Sequence, residues 1–450
     1  MLTLPSIAGD HLAAVQRWLS GNALWARAVA FLTKEDVPTY LVGGSVRDAL
    51  RGVTGGDLDI AVDGGAIRLG RRLADELGGT YYVMDSGHDV GRVILGRDDD
   101  DRSHIDLAGL RGSTIQDDLC ARDLTVNAMG MALTDPLGVL LDPTGGLDDL
   151  SRGIIRQAYA NAFVDDPLRM LRAVRMSAGL GFVMDDATRD AIVAQRPLLR
   201  RVSAERLRDE LMLLLEQPSV SGLELALDMG LLADILAPVS EEQLGRGVQL
   251  LDALRGSVAA GDPLVSRLAT SWLERFVPER SRGHMVSLAA VLAYGDSDAR
   301  DGAGRGLRLS SGENTHVGQV MRAWWCALES PGASVTPLAA HRYYREYGAA
   351  GADGAALALV TPRAPQAVRA VAAGLLNTWF DDQDRIVAPV PMLTGGELID
   401  ELGMEPGPEI GAVLRSLVEA QVQGIVSDRE AACAWLRDAW DGKKNKGKQV

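Results

Sequence analysis

Short runs of β-branched, aromatic and other apolar residues mark the first third of the chain, and helical spacing takes over after it. The runs Tyr40–Val42, Leu58–Val62, Thr80–Met84, Gly91–Leu95 and His104–Leu107 predict strands, and Ala66–Leu77, with apolar residues three and four apart, predicts a helix. Upstream, Leu12, Val15, Trp18 and Leu19 line one face of a short amphipathic helix. From Ala162 onward, positions such as Leu168, Leu171, Val174, Leu207, Leu211 and Leu214 predict an almost wholly helical remainder with no further strand. Glycine-rich stretches at Gly295–Gly306 and near Gly348–Gly354 read as linkers or loops between helical modules.

Composition adds limits to this picture. With 450 residues, 47% of them apolar, the chain can bury a sizeable core in two to four domains. Met1 to Leu19 carries Asp10 and Arg17 and no continuous apolar core, so neither a secretory signal nor a membrane span is expected, and the cytoplasm is the expected compartment. Cys120, Cys326 and Cys433 are far apart, which argues against a disulfide framework or a zinc site and suggests buried thiols. The net charge of −15 opposes non-specific binding to polyanions. Arg152, Arg156, Arg169, Arg172, Arg175, Arg200, Arg201, Arg206 and Arg208 nevertheless cluster, which allows a local basic groove on an acidic body. Lys443, Lys444, Lys446 and Lys448 read as a disordered, solvated tail, and Asp98–Asp101 as a polar hairpin tip.

Candidate chemistry concentrates in the strand-rich part. After the strand at Tyr40–Val42, the turn Gly43-Gly44-Ser45 exposes backbone N–H groups at the start of a helix through Val46–Leu50, an arrangement that favours anions such as a triphosphate. Alternation along the next strand puts Asp57 and Asp59 on one face and turns Leu58 and Ile60 inward. Two hard oxygen ligands on one face suit Mg²⁺, which takes one or two carboxylates together with substrate phosphates. Asp106 offers a third carboxylate, a candidate for holding an ion that activates an attacking hydroxyl. Either motif alone is more often a plain turn or a solvated strand edge; together they point to nucleotidyl transfer.

Gly43-Gly44-Ser45-Val46-Arg47-Asp48 followed by Asp57-Leu58-Asp59 resembles the signature of the polymerase-β-like superfamily, specifically the class II tRNA nucleotidyltransferase and poly(A) polymerase family. Asp118–Met129 resembles that family's Arg-Arg-Asp-Phe-Thr-Ile-Asn-Ala motif, with Ala121 and Leu124 as departures. The resemblance implies that Gly44, Arg47 and Arg122 hold the triphosphate and that Asp123 and Asn127 belong to the nucleotide site. Asp142–Leu150 resembles the next family motif, where Gly145 and Gly146 allow a tight turn. Phe163–Arg175 resembles the family's Glu-Asp-x-x-Arg template, with Asp165 in place of Glu, a shorter arm for orienting Arg169. Arg172 and Arg175 match arginines that follow it, and the resemblance implies that they hold the base or phosphates.

Asp166 as the cap of a helix starting at Pro167, with Arg169 three residues along, places an acceptor beside a donor. That pair suits the pairing edges of cytosine and adenine and rejects uracil and guanine. It is equally compatible with an ordinary cap and salt bridge.

The fold implied is α+β: a polymerase-β-like nucleotidyltransferase head with a mixed sheet over 1–150, a helical neck over 151–215, a helical body over 216–385 and a helical RNA-binding tail over 386–450. The implied reaction is template-independent addition of C and A to tRNA 3′ ends from CTP and ATP with Mg²⁺, releasing pyrophosphate. The implied partners are the tRNA 3′ end, CTP and ATP, with neither DNA nor membrane; the oligomeric state is not read. In relatives that add all of CCA, a flexible loop between the third catalytic strand and the Arg-Asp motif is implicated in the switch from C to A. Here Asp106–Arg111 runs through Gly112–Gln116 directly to Asp118, a short connector that resembles relatives that add only CC. Competing readings are a poly(A) polymerase, nucleotidyl transfer to a small molecule or protein, and a non-enzymatic RNA-binding protein.

Overall fold

The computed structural model describes residues 11–53, 55–96, 103–134, 137–330, 332, 334–402 and 405–446. The chain packs as two compact units, one of residues 1–214 with 228–234, the other of 215–227 with 235–450. The expected neck thus shares a unit with the head, and the expected body shares one with the tail.

The first unit opens with α1 (His11–Ser20) and α2 (Ala23–Leu32). It continues through β1 (Thr39–Val42), α3 (Gly44–Arg51), β2 (Leu58–Val62), α4 (Ala66–Leu77), β3 (Thr80–Asp85), β4 (Val90–Leu95) and β5 (Ser103–Gly109). After α5 (Ile115–Cys120) and a 3₁₀ turn at Thr125–Asn127 come β6 (Gly130–Ala132), β7 (Leu140–Leu141), α6 (Gly146–Arg152) and β8 (Ile154–Ile155). Next are α7 (Ala162–Asp165), α8 (Leu168–Leu180), β9 (Val183–Met184), α9 (Asp186–Gln195) and α10 (Ala204–Glu216). The main sheet has the order β3-β4-β5-β2-β1-β6-β7, and β2–β5 is its one parallel pairing, so it is mixed.

Period-two burial is sharp in the central strands. Leu58 and Ile60 of β2 and Ile105 and Leu107 of β5 all face the core, leaving the residues between them on the opposite face. Helix α4 buries Leu69, Gly70, Leu73, Ala74 and Leu77; at Gly70 a Cβ would lie 2.6 Å from the Tyr81 ring, so only glycine allows this approach. In α1, Val15, Trp18 and Leu19 are buried, but Leu12 is exposed, because Trp18 and Trp25 stack at 4.3 Å and close the inner face without it.

The second unit is built from helices. Its first element is α11 (Ser221–Asp228), while α12 (Leu231–Ile235) lies almost wholly in the segment that returns to the first unit. Then follow α13 (Glu241–Ala259), α14 (Pro263–Ala269), the hairpin β10 (Arg275–Val277) and β11 (Arg280–Ser281), α15 (Arg282–Leu292) and α16 (Ser297–Gly306). The chain ends with α17 (Ser311–Leu328), α18 (Pro337–Val360), α19 (Gln366–Asp381), α20 (Gly395–Leu402), α21 (Pro408–Val422) and α22 (Arg429–Lys446). Asp353 of α18, fully buried, accepts hydrogen bonds from Trp272, Arg282 and His316, so its desolvation is compensated on both oxygens. No helix among the described residues is long and apolar enough to cross a membrane.

Several sequence expectations are corrected. Short strands do occur after Ala162: β9 pairs with β8, and β10 with β11, each too brief to leave a periodic signature. Gly295–Gly306 is mostly helix α16, capped by Asp296, and its glycines serve close packing: a Cβ at Gly302 would meet Pro238 at 2.7 Å and one at Gly304 would meet Asn314 at 2.3 Å. In Gly348–Gly354 only Gly348 leaves helical geometry (φ +52°), while a Cβ at Gly354 would press Ala323 and Trp324 at 2.6 Å. Cys120 and Cys326 are exposed and Cys433 is half-buried, so the thiols are not core residues. The lysine tail is helical through Lys446, with Lys448 outside the described residues, as is the Asp98–Asp101 run.

Candidate active site

The parallel register of β2 and β5 sets Asp59 directly beside Asp106, on the sheet face opposite the buried leucines and isoleucines. Both acids line a cavity of about 600 Å³ in the first unit. Ser45 fixes this edge: its Oγ accepts the Asp59 backbone N–H at 2.7 Å and donates to the Asp57 carbonyl at 3.0 Å, stapling α3 to β2. Gly43 adopts φ +69°, and a Cβ there would lie 2.8 Å from Arg122 and 3.4 Å from the Asp59 carboxylate, so a side chain would close the space between acid and arginine.

The carboxyl of Asp59 is pushed up to about 6 by burial and by the neighbouring charges of Asp106 and Asp57, against the opposing pull of Arg122 and Arg47. No hydrogen bond from a described residue reaches that carboxylate. A crowded, unpartnered acid is the electrostatic environment that a hard divalent cation relieves, and the donors present are oxygens. Asp57 stands apart from the cavity lining; its side chain is half-exposed and contacts His104 Nδ1 at 3.3 Å. Asp106 is paired: Arg92, opposite it in the antiparallel β4–β5 register, donates to both of its oxygens at 2.7 and 2.8 Å.

Of the arginines that line the cavity, all but Arg111 are held by a neighbour through the side chain among the described residues. Arg47 donates to Asp48 at 2.9 Å and to Asn127. Arg122 donates through Nε and Nη2 to the buried Asp118. Asn127 gives its own donor to Asp123 at 3.3 Å, so its amide positions neighbours instead of facing open solvent. Asp123 is buried; burial pushes its carboxyl up, but the Arg172 guanidinium and hydrogen bonds from Arg172, Asn127 and the Leu124 N–H outweigh that and hold it at about 2. Arg175 pairs with Glu210. The expected basic groove is therefore a lattice of arginines whose charge is largely balanced by acids. Gly145 and Gly146 sit outside it: Asp142 accepts from the Gly146 and Leu147 N–H groups, and a Cβ at Gly146 would lie 2.1 Å from the Thr125 carbonyl.

Asp166 and Arg169 both line the cavity, yet no ion pair joins them among the described residues. Pro167 begins the helical geometry, leaving Asp166 extended (φ −140°, ψ 99°). Its Oδ1 accepts the Leu168 N–H at 3.2 Å and its Oδ2 pairs with Arg206 at 2.8 Å. The Arg169 guanidinium turns elsewhere, to the Ala121 carbonyl and the Tyr159 hydroxyl, each at 3.0 Å. Ser203-x-x-Arg206 reads from sequence as plain helix architecture, and the Ser203 cap is weak at 3.5 Å, whereas Arg206 reaches the cavity. Arg92 and Tyr159 are further residues that spacing alone does not mark; an arginine on the polar phase of a strand was the one available signal for Arg92.

With this geometry in view, the family description "Poly A polymerase head domain" matches residues 39–156, and "Probable RNA and SrmB- binding site of polymerase A" matches residues 181–244. A CC-adding tRNA nucleotidyltransferase of Synechocystis sp. is 29% identical over 88% of this chain and 92% of its own length. One from Geobacter sulfurreducens is 30% identical over 88% of this chain and 91% of its own. An A-adding tRNA nucleotidyltransferase of Deinococcus radiodurans is 28% identical over 88% and 94%. Among solved structures, a CCA-adding enzyme in complex with CTP superposes with a TM-score of 0.72 at 22% identity, covering 95% of this chain and 98% of that one, a likeness of fold. Matched across nearly its whole length at that identity, the chain belongs to the tRNA nucleotidyltransferase and poly(A) polymerase family.

Proposed function

We propose that this chain is a cytoplasmic enzyme that adds nucleotides to the 3′ end of tRNA without a nucleic-acid template, and that it adds the two cytidines. The observation that carries the reaction is one cavity holding Asp59 and Asp106 side by side on a sheet face, arginines suited to a triphosphate, and an acceptor and a donor suited to a base. Asp57 and Asp59 would hold Mg²⁺, which when bound supplies charge neutralisation at the phosphates. Asp106, tied to Arg92, sets the charge around Asp59. Gly44 at the start of α3, Arg47 and Arg122 bind the triphosphate, with Asp123 and Asn127 keeping the surrounding arginines in place. The 3′-hydroxyl of the RNA attacks the α-phosphorus, the bond to the β-phosphate oxygen breaks, and pyrophosphate leaves. The protein contributes mainly position and charge stabilisation.

Base choice falls to Asp166 and Arg169 acting as separate groups, each held from outside the pair, with Arg172 and Arg175 flanking them. Of the three relatives above, each aligned over 88% of the chain, two are named CC-adding and one A-adding, a balance that favours restriction to cytidine. It is also supported by the five-residue connector Leu110–Thr114 between β5 and α5, tied down where Asp118 accepts the Arg111 N–H and Asp117 accepts those of Ser113 and Thr114. The helical second unit is assigned to holding the tRNA. Purified protein given a tRNA ending at its discriminator base should stall after two cytidines with CTP and ATP together, and should add nothing with ATP alone. A complete CCA end overturns the restriction to C; addition of a single A to a tRNA already ending in CC assigns the other specificity; repeated A on unrelated RNA assigns a poly(A) polymerase.

A further inference from the structure

Among relatives with Glu where this chain has Asp165, the longer arm is expected to reach the arginine that reads the base. Asp165 is one methylene shorter, and no ion pair joins it to Arg169 among the described residues. A tyrosine fills the gap. The Tyr159 hydroxyl donates to Asp165 Oδ2 at 2.6 Å and accepts from Arg169 Nη1 at 3.0 Å. The Tyr159 ring lies beneath the same guanidinium, 5.9 Å from ring centroid to Cζ. The Ala121 carbonyl accepts a hydrogen bond from Nη2 at 3.0 Å, and the Ala162 carbonyl lies 3.4 Å from Nη1.

These contacts fix the plane of the guanidinium and use one end of it. The Nε–H and one Nη2 proton make no hydrogen bond within the described residues, and Arg169 lines the cavity. Burial and the hydrogen bond to Asp165 both push the Tyr159 hydroxyl above its ordinary range, so it stays protonated at neutral pH and can donate to the carboxylate.

We propose that Tyr159 is a positioning residue for base selection, its hydroxyl carrying the hold of the Asp165 carboxylate across to Arg169. The inference rests on Arg169 reading the base, as assigned above. The side chain does not touch the nucleotide. It sets the angle at which the free N–H groups of Arg169 meet a pairing edge, and a guanidinium free to rotate accepts uracil as readily as cytosine.

Full-length protein, a tRNA ending at its discriminator base, and CTP or UTP as single nucleotides test this. Tyr159→Phe keeps the ring and removes the relay. It is expected to lower the C-over-U ratio of kcat/KM by about tenfold, the loss typical of one charge-assisted hydrogen bond. Tyr159→Phe combined with Asp165→Glu restores a direct reach to Arg169 and is expected to recover most of that ratio; a purely structural role would predict no recovery. If circular dichroism shows Tyr159→Phe unfolded, Asp165→Asn, at an exposed position, takes its place with the same expected fall. Wild-type selectivity in the single variant, or no recovery in the double, overturns the relay. A wild-type protein that transfers no cytidine overturns the assigned reaction, and the relay falls with it.

Discussion

At the scale of single residues, the site balances unlike charges more than it accumulates positive ones. Asp59 is the exception, an acid crowded by Asp57 and Asp106 with no donor on its carboxylate among the described residues. Replacing it with Asn should abolish cytidine transfer by roughly 10³-fold, as expected when a group that organises transition-state charge is lost. In a chelator, the same change should raise the melting temperature by roughly 2–4 °C, because relief of the crowding is worth on the order of 1 kcal/mol in a unit of this size. A lowered melting temperature together with retained activity would return Asp59 to the ordinary residues of a strand. Asp166 offers a second test. Since Asp166 faces the cavity and Arg206 holds it, Asp166→Ala and Arg206→Ala should both raise UTP and GTP incorporation relative to CTP, by about tenfold, with a much smaller change in KM for CTP. Unchanged selectivity in both, with loss of thermal stability alone, would make the pair a helix cap and nothing more.

At the scale of elements, the Arg122–Asn127 segment is fastened to α8 by Asp123 and Arg172, and this fastening has a pH signature. The Asp123 carboxyl lies at about 2 in the folded protein against an ordinary 3.8, so its stabilising contribution is complete above about pH 4 and drains away as pH falls toward 2. The shift corresponds to about 2 kcal/mol. Urea unfolding of the wild type should lose that amount between pH 4 and 2, and Asp123→Asn should flatten this part of the profile; an equally steep loss in the variant would place the acid sensitivity elsewhere.

The strands and α4 were legible because burial repeats every two or every 3.6 residues, and the outward turn of Asp59 because it alternates with the buried Leu58 and Ile60; Asp57, just before the strand, does not line the cavity with it. Arg92 was not legible, since its bond to Asp106 depends on the β4–β5 register, which no local pattern encodes. The separate partners of Asp166 and Arg169 were not legible for a similar reason: both line the cavity, but Pro167 starts the helix after Asp166, and each side chain bonds to residues outside the pair. The glycines of α16 and α18 looked like linkers because composition does not distinguish a turn from two backbones in close approach.

At the scale of the whole molecule, the two units are not consecutive stretches of chain. Residues 228–234 return to the first unit after 215–227 has contributed to the second. Met229, Leu231 and Leu232 of the returning segment are buried, Arg196 pairs with Asp234 at 3.6 Å, and the Arg196 guanidinium fills the space that a side chain at Gly230 would occupy. Three buried apolar side chains at roughly 2 kcal/mol each amount to a large share of a typical domain's stability. A fragment of residues 1–214 should therefore melt well below one of residues 1–234 or fail to remain soluble. Equal melting curves would show that the returning segment contributes nothing to the first unit.

That path through the chain also sets a schedule for synthesis. The catalytic sheet is complete once residue 141 has emerged from the ribosome, yet the unit around it still lacks a wall until residue 234 follows. At roughly 5–20 residues per second, translation leaves the nascent head unfinished for several seconds, exposing an apolar gap that its own downstream sequence must reach before another protein does. A pause while residues 229–234 are still inside the ribosome would lengthen that interval, and a pause once Asp234 has emerged would give the head time to close before the later helices of the second unit follow.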